Sequence, residues 1–199
     1  MIVLAAADIH GNWETYRWLV EVVDTHHPDL VVLAGDLLGA PESYSTVEAD
    51  QTEHAERVVQ LLSPISVPVL YVMGNDDWIA LPPRPGWHSL HLQRREFGEF
   101  QFVGYQNTPR FMGGPNERTE QEIEEELSQI EGLLDGQTIL VTHGPAFGVL
   151  DGGHGSTRLW QIFSSGHPSE PISTAIAIKT SEGLAVTSTW RLDTKGGLC

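Results

Sequence analysis

The stretch Met1-Ile2-Val3-Leu4-Ala5-Ala6-Ala7-Asp8-Ile9-His10-Gly11-Asn12 decides how this chain is read. Ile2 to Ala7 is an unbroken apolar run, the pattern of a strand buried on both faces of a mostly parallel sheet. It ends on a carboxylate, an imidazole and a glycine. Asn12 then caps a segment in which Trp13, Tyr16, Leu19, Val20 and Val23 recur at helical spacing. The order is strand, loop, helix, the start of an α/β unit.

The pattern repeats downstream. Leu30 to Ala34 is a second buried strand, followed by a helix over about Ala49 to Leu62 that stops before Pro64. Val69 to Met73 is a third strand. Trp87 to Gln93 and Phe100 to Tyr105 read as short strands joined by a polar hairpin, the start of a second sheet. Glu117 to Leu134 reads as one helix, with Ile123, Leu127, Ile130 and Leu134 as its apolar stripe and the glutamates on a solvated face. Thr138 to Thr142 is another buried strand, Thr157 to Phe163 a short helix, and Ile172 to Lys179 with Leu184 to Trp190 a terminal strand pair. No repeat and no linker interrupts this series, so residues 1–199 are expected to form a single domain.

Composition narrows the function classes. A formal net charge of -16 disfavours a nucleic-acid polymer as partner, because phosphate backbones bind basic surfaces. A phosphate-handling site would need metal to supply positive charge. The single cysteine, Cys199, leaves no thiolate cage and no internal disulfide, so a metal site must use His, Asp, Asn or Glu. No apolar run is long enough to span a membrane and no secretory leader is evident, so a cytoplasmic location is expected. The oligomeric state is open, with a homo-oligomer among the alternatives.

The residues directly after each strand carry the chemistry: Asp8-Ile9-His10-Gly11, then Gly35-Asp36, then Gly74-Asn75-Asp76-Asp77, then His143-Gly144. Ligands gather outside the carboxyl ends of strands in open α/β sheets, so these four points are expected to converge. Asp8 and His10, with one residue between them, offer a carboxylate and an imidazole to one cation. Asp36 has two oxygens with which to bridge two cations. Asn75 and His143 suit the second.

These motifs, in this order, resemble the calcineurin-like metallophosphoesterases, which carry Asp-x-His, Gly-Asp, Gly-Asn-His-Asp or Glu, a lone His and Gly-His-x-His. The last motif is matched loosely, by Gly166-His167-Pro168-Ser169. The resemblance implies a two-sheet β-sandwich flanked by helices, a four-layer α-β-β-α arrangement. It also implies hydrolysis of phosphodiesters or phosphomonoesters at a two-metal centre. Carried over by position, Asp8 and His10 would hold the first metal, Asp36 would bridge, and Asn75, His143 and His167 would complete the second. Mixed His, Asp and Asn ligation suits manganese, iron, zinc or magnesium.

Asn75, Asp76 and His143 are the candidate catalytic residues. Asp76 stands where the family commonly has a histidine near the leaving group; an ionised carboxylate there cannot donate a proton and repels a dianion, and could help only with a raised pKa, which favours diesters or substrates with good leaving groups. Ser169 replaces the last family histidine, which would weaken the first metal site. Asn12, Asp77, Trp78, His154 and Arg158 are the candidate substrate contacts. Trp78 directly follows the third motif, His154 lies in a glycine loop near the expected mouth, and Arg158 is the cation nearest the last motifs. The expected function is a metal-dependent phosphoesterase for a small or nucleotide-like substrate. The alternative is a family member that binds without catalysis.

Overall fold

The unbroken apolar runs are strands. A computed structural model describes residues 1–148 and 152–164. It shows β1 (Val3–Ala6), β2 (Leu30–Ala34), β3 (Val69–Val72) and β4 (Trp87–Ser89) in one parallel sheet, ordered β1-β2-β3-β4. Every residue of β2 is buried, as a central strand covered on both faces must be. Burying Leu30, Val31, Val32 and Leu33 stabilises the fold by about 1.5–3 kcal/mol per side chain. Helices α1 (Trp13–His26) and α2 (Val47–Leu61) connect these strands. Tyr16, Leu19 and Val58 share one core with Leu33 of the sheet.

The second sheet has the order β5-β6-β9, with β5 (Arg94–Phe97) antiparallel to β6 (Phe100–Tyr105) and β6 parallel to β9 (Thr138–Thr142). Val32 and Leu70 of the first sheet share a core with Phe102 and Val141 of the second. On the second sheet's side, Val103 and Leu140 form a third core with Ile123 of α3 (Glu120–Leu127) and Leu159 of α4 (Thr157–Ser164). A two-stranded sheet of β7 (Thr108–Pro109) and β8 (Glu117–Arg118) completes a mixed α/β fold. Among the described residues, no helix is long and apolar enough to cross a membrane.

Two expectations are corrected. Trp87 to Gln93 does not open the second sheet: its first residues lie beside β3, with Trp87 opposite Val69. The chain changes sheets just afterwards. The Leu90 N–H still donates to Tyr71 at 2.8 Å, whereas the Leu92 N–H donates to Gly104 of β6 at 2.9 Å. The left-handed turn at Leu92 (φ 55°) leads into β5, which is the true hairpin partner of β6. The helix expected over Glu117 to Leu134 starts later and ends earlier. Thr119 and Glu122 form a reciprocal capping box that fixes the start at Glu120, and a separate 3-10 turn occupies Glu131–Leu133. Glu117 belongs instead to β8. The expected terminal strand pair, together with His167 and Ser169, lies outside the described residues.

Candidate metal centre

Parallel strands leave their carboxyl ends on one edge, and here the backbone straps those ends together. The Asp8 N–H donates to Gly35 at 3.0 Å and the His10 N–H to Asp36 at 2.8 Å, so the exits of β1 and β2 run side by side. Asp8, His10 and Asp36 all adopt left-handed backbone, with φ of 52°, 47° and 50°. For residues with a Cβ this costs on the order of 1–3 kcal/mol each, strain typical of functional sites. The strain aims the three side chains at one point. Their ligand atoms lie within 4.8 Å of one another, a group able to hold a cation.

Asp36 is the hub. Its Oδ2 lies 3.5 Å from His10 Nε2 and 3.4 Å from His143 Nε2, which places one carboxylate oxygen between two imidazoles. Its Oδ1 accepts the Asp76 N–H at 3.0 Å. His143 comes from the other sheet, at the end of β9. Its Nδ1 donates to the Ala34 carbonyl at 3.0 Å, which turns Nε2 inward, 3.1 Å from Asn75 Oδ1. This closeness requires glycine at two places. A Cβ on Gly35 would stand 2.4 Å from His143 Nδ1, and one on Gly74 would stand 2.1 Å from Asp36 Oδ1.

Electrostatics tests whether a cation fits. Asp8 and Asp36 are only 6% and 5% exposed. Among the described residues, the ionic partners of Asp36 are His10 and His143, with no lysine or arginine. Burial alone would raise the Asp36 pKa, yet the hydrogen bond and charge of His143 hold it below the usual carboxylate value. For His143, burial works downward, but Asp36, the Ala34 carbonyl and Asp8 bring its pKa up to about 9. A site that holds a proton this firmly between carboxylates has the charge and donor set for a metal cation, which would take the proton's place. Carboxylate, imidazole and amide oxygen together suit a divalent ion.

The other expected residues divide. Asp76 is half-exposed with its Oδ2 4.0 Å from His10 Nδ1, and burial followed by the Asp36 charge raises its pKa. His154 is exposed and lines a pocket of about 400 Å³, mouth included, together with Asn75 and His143. Asp77 is buried, and its carboxylate accepts the N–H groups of Leu37, Leu38 and Gly74 at 3.0, 2.7 and 2.7 Å. Burial and Asp36 push its pKa up to about 6, against those backbone donors. Asn12 has its Oδ1 committed to the N–H groups of Glu14 and Thr15 as the α1 cap. The Arg158 guanidinium is held by Glu131 and Gln161, so its charge is already met. Trp78 does not line the pocket beside Asn75; its ring meets Tyr44 edge-on at 6.5 Å.

Three positioning residues escape a sequence reading. Gln51, fully buried on α2, donates to the carbonyls of Gly39 and Asp76 and accepts the Trp78 N–H at 2.6 Å. Its signal was present, since it interrupts the apolar face made by Val47, Ala55 and Val58. Asn116 Nδ2 donates to Gly74 at 2.8 Å and Asp77 at 3.2 Å. Glu117 accepts the N–H groups of Phe111, Met112 and Gly113. Asn116 and Glu117 lie where the chain enters β8, and no local sequence pattern marks the contacts they make.

A family model described as calcineurin-like phosphoesterase matches residues 1–172. The chain belongs to this family. The family is metal-dependent, and membership points to hydrolase chemistry. No curated protein matches the chain. Among solved structures, TT1561 of Thermus thermophilus aligns with a TM-score of 0.63 at 18% identity, covering 84% of this chain and 78% of its own. Another crystal structure aligns with a TM-score of 0.64 at 16% identity, covering 83% and 80%. At these identities the likeness is one of fold.

Proposed function

We propose that the chain is a divalent-metal-dependent phosphoesterase that hydrolyses a phosphodiester, or less readily a phosphomonoester, of a small or nucleotide-like substrate. The observation that carries this reading is the placement of Asp36 Oδ2 between His10 Nε2 and His143 Nε2, at 3.5 and 3.4 Å. Asp8 and His10 would hold one ion, Asn75 and His143 a second, and Asp36 both; His167 is assigned to the second by resemblance alone. Manganese, iron, zinc and magnesium all suit these donors. Bound there, such ions supply Lewis-acid activation of water and neutralise phosphoryl charge.

The chain's own groups do the rest. Ala34 orients His143 through Nδ1, and the Asp76 N–H fixes the second oxygen of Asp36. Asp76 adds negative charge at the rim, which opposes a dianionic monoester more than a monoanionic diester. The four-layer α-β-β-α arrangement belongs to the same reading, and the three separate cores support it. The test is hydrolysis of a chromogenic phosphodiester with added manganese, abolished in Asp36→Asn. No turnover with any of several divalent metals would overturn it and leave the binding-protein alternative.

A further inference from the structure

Beside the ligand residues Asn75 and His143, the pocket is walled by Pro109, Phe111, Pro145 and His154. Among the described residues, no lysine or arginine lines it. Phe111 and its neighbour Met112 are 56% and 71% exposed, and the Phe111 ring meets His154 edge-on with centroids 4.6 Å apart. A single exposed apolar side chain is ordinary. This one is held in place. The Glu117 carboxylate accepts the N–H groups of Phe111, Met112 and Gly113 at 2.7, 2.8 and 2.9 Å, so the loop that carries the ring is fixed before any ligand arrives. Asn116 ties the same loop to the carbonyls of Gly74 and Asp77, on either side of Asn75 and Asp76. The aromatic wall and the ligand loop are therefore positioned as one unit.

We propose that this pocket seats the organic group of the ester and selects an uncharged aromatic ring, through Phe111. The proposal rests on the phosphoesterase reading for where the phosphoryl group sits. Two features choose the ring. The wall offers an exposed aromatic face and two prolines, which reward a flat apolar group over a hydrated one. The absence of a lysine or arginine among the described lining residues, with Asp76 close by, disfavours a second anionic group on the substrate.

The test uses binding, so that it stands apart from turnover. Phenylphosphonate, methylphosphonate and 4-carboxyphenylphosphonate are titrated calorimetrically into the manganese-loaded protein. Wild type is expected to bind phenylphosphonate about tenfold tighter than methylphosphonate, with the carboxylated ring losing most of that advantage. Phe111→Ala should bring the ratio close to one while leaving methylphosphonate affinity unchanged, which also shows that the variant is folded. A wild-type ratio near one, or a ratio that survives in Phe111→Ala, overturns the proposal. A protein with the expected ratio that hydrolyses no ester keeps the pocket and loses the phosphoesterase reading; an active enzyme with a ratio of one loses the pocket alone.

Discussion

The ligand residues depend on neighbours that never touch a cation. Gln51 shows this most directly. As a fully buried amide with three backbone partners, it joins α2 and the Gly39 loop to the Asp76–Trp78 turn. Leucine has nearly the same volume and none of the hydrogen bonds. In Gln51→Leu the Trp78 N–H and the Asp76 and Gly39 carbonyls lose their partner, which should cost roughly 2–3 kcal/mol in a urea melt. Because that turn carries Asn75 and the donor to Asp36, manganese affinity should also fall, by about tenfold, the usual scale for groups that orient ligands. Calorimetric titration reads this second effect. A variant as stable and as tight as wild type would show that the turn holds its shape without Gln51.

Among the elements, α3 is fastened to the second sheet through a charge as well as an apolar stripe. Glu126 accepts from the Tyr105 hydroxyl and from Asn107 Nδ2, both at 2.7 Å, and from Arg118 Nε at 3.2 Å. Burial works to raise its pKa, but the Tyr105, Asn107 and Arg118 contacts prevail and hold it below its ordinary value of 4.5. A carboxylate lowered on folding contributes stability that is fully present above its unfolded pKa and is lost as pH falls through the folded value. The stability gap between wild type and Glu126→Gln should therefore be constant near neutral pH and shrink below about pH 4.5, followed by urea melts across pH. A gap that does not change with pH would mean that the charge contributes nothing. The same helix shows what a sequence pattern can reveal. Ile123, Leu127 and Ile130 marked a buried stripe because helical periodicity is local. The true start at Glu120 was set by the Thr119–Glu122 box. Nothing local showed that Glu117, read as helix surface, would turn back to hold Phe111, since that contact depends on a loop's path. The transfer of the chain from β4 to the second sheet at Leu90–Leu92 was hidden for the same reason, whereas Asp8, His10, Asp36, Asn75 and His143 were readable because each follows a strand whose burial shows in its apolar run.

For the whole molecule, the candidate metal centre is also a joint between the sheets. Asp8, Asp36 and Asn75 follow β1, β2 and β3 of the first sheet, while His143 follows β9 of the second. With protein groups alone, this joint brings Asp36 near the carboxylates of Asp76 and Asp77 in a chain of net charge -16, and each of those two has its pKa raised partly by Asp36. A divalent cation bound to ligands from both sheets would relieve that repulsion and tie the two halves together, so the folded state should bind it and the unfolded chain far less. At a free concentration of about 100 times Kd the gain is about 2.7 kcal/mol, which for a chain of this size raises Tm by roughly 5–10 °C. Thermal unfolding of the chelator-treated protein, with and without manganese, measures it. The rise should be largely lost in Asp36→Asn, which removes the shared charge, and in His143→Ala, which removes the ligand from the second sheet. If Asp36→Asn shifts by as much as wild type, the ion binds elsewhere and the joint is held by the apolar core alone.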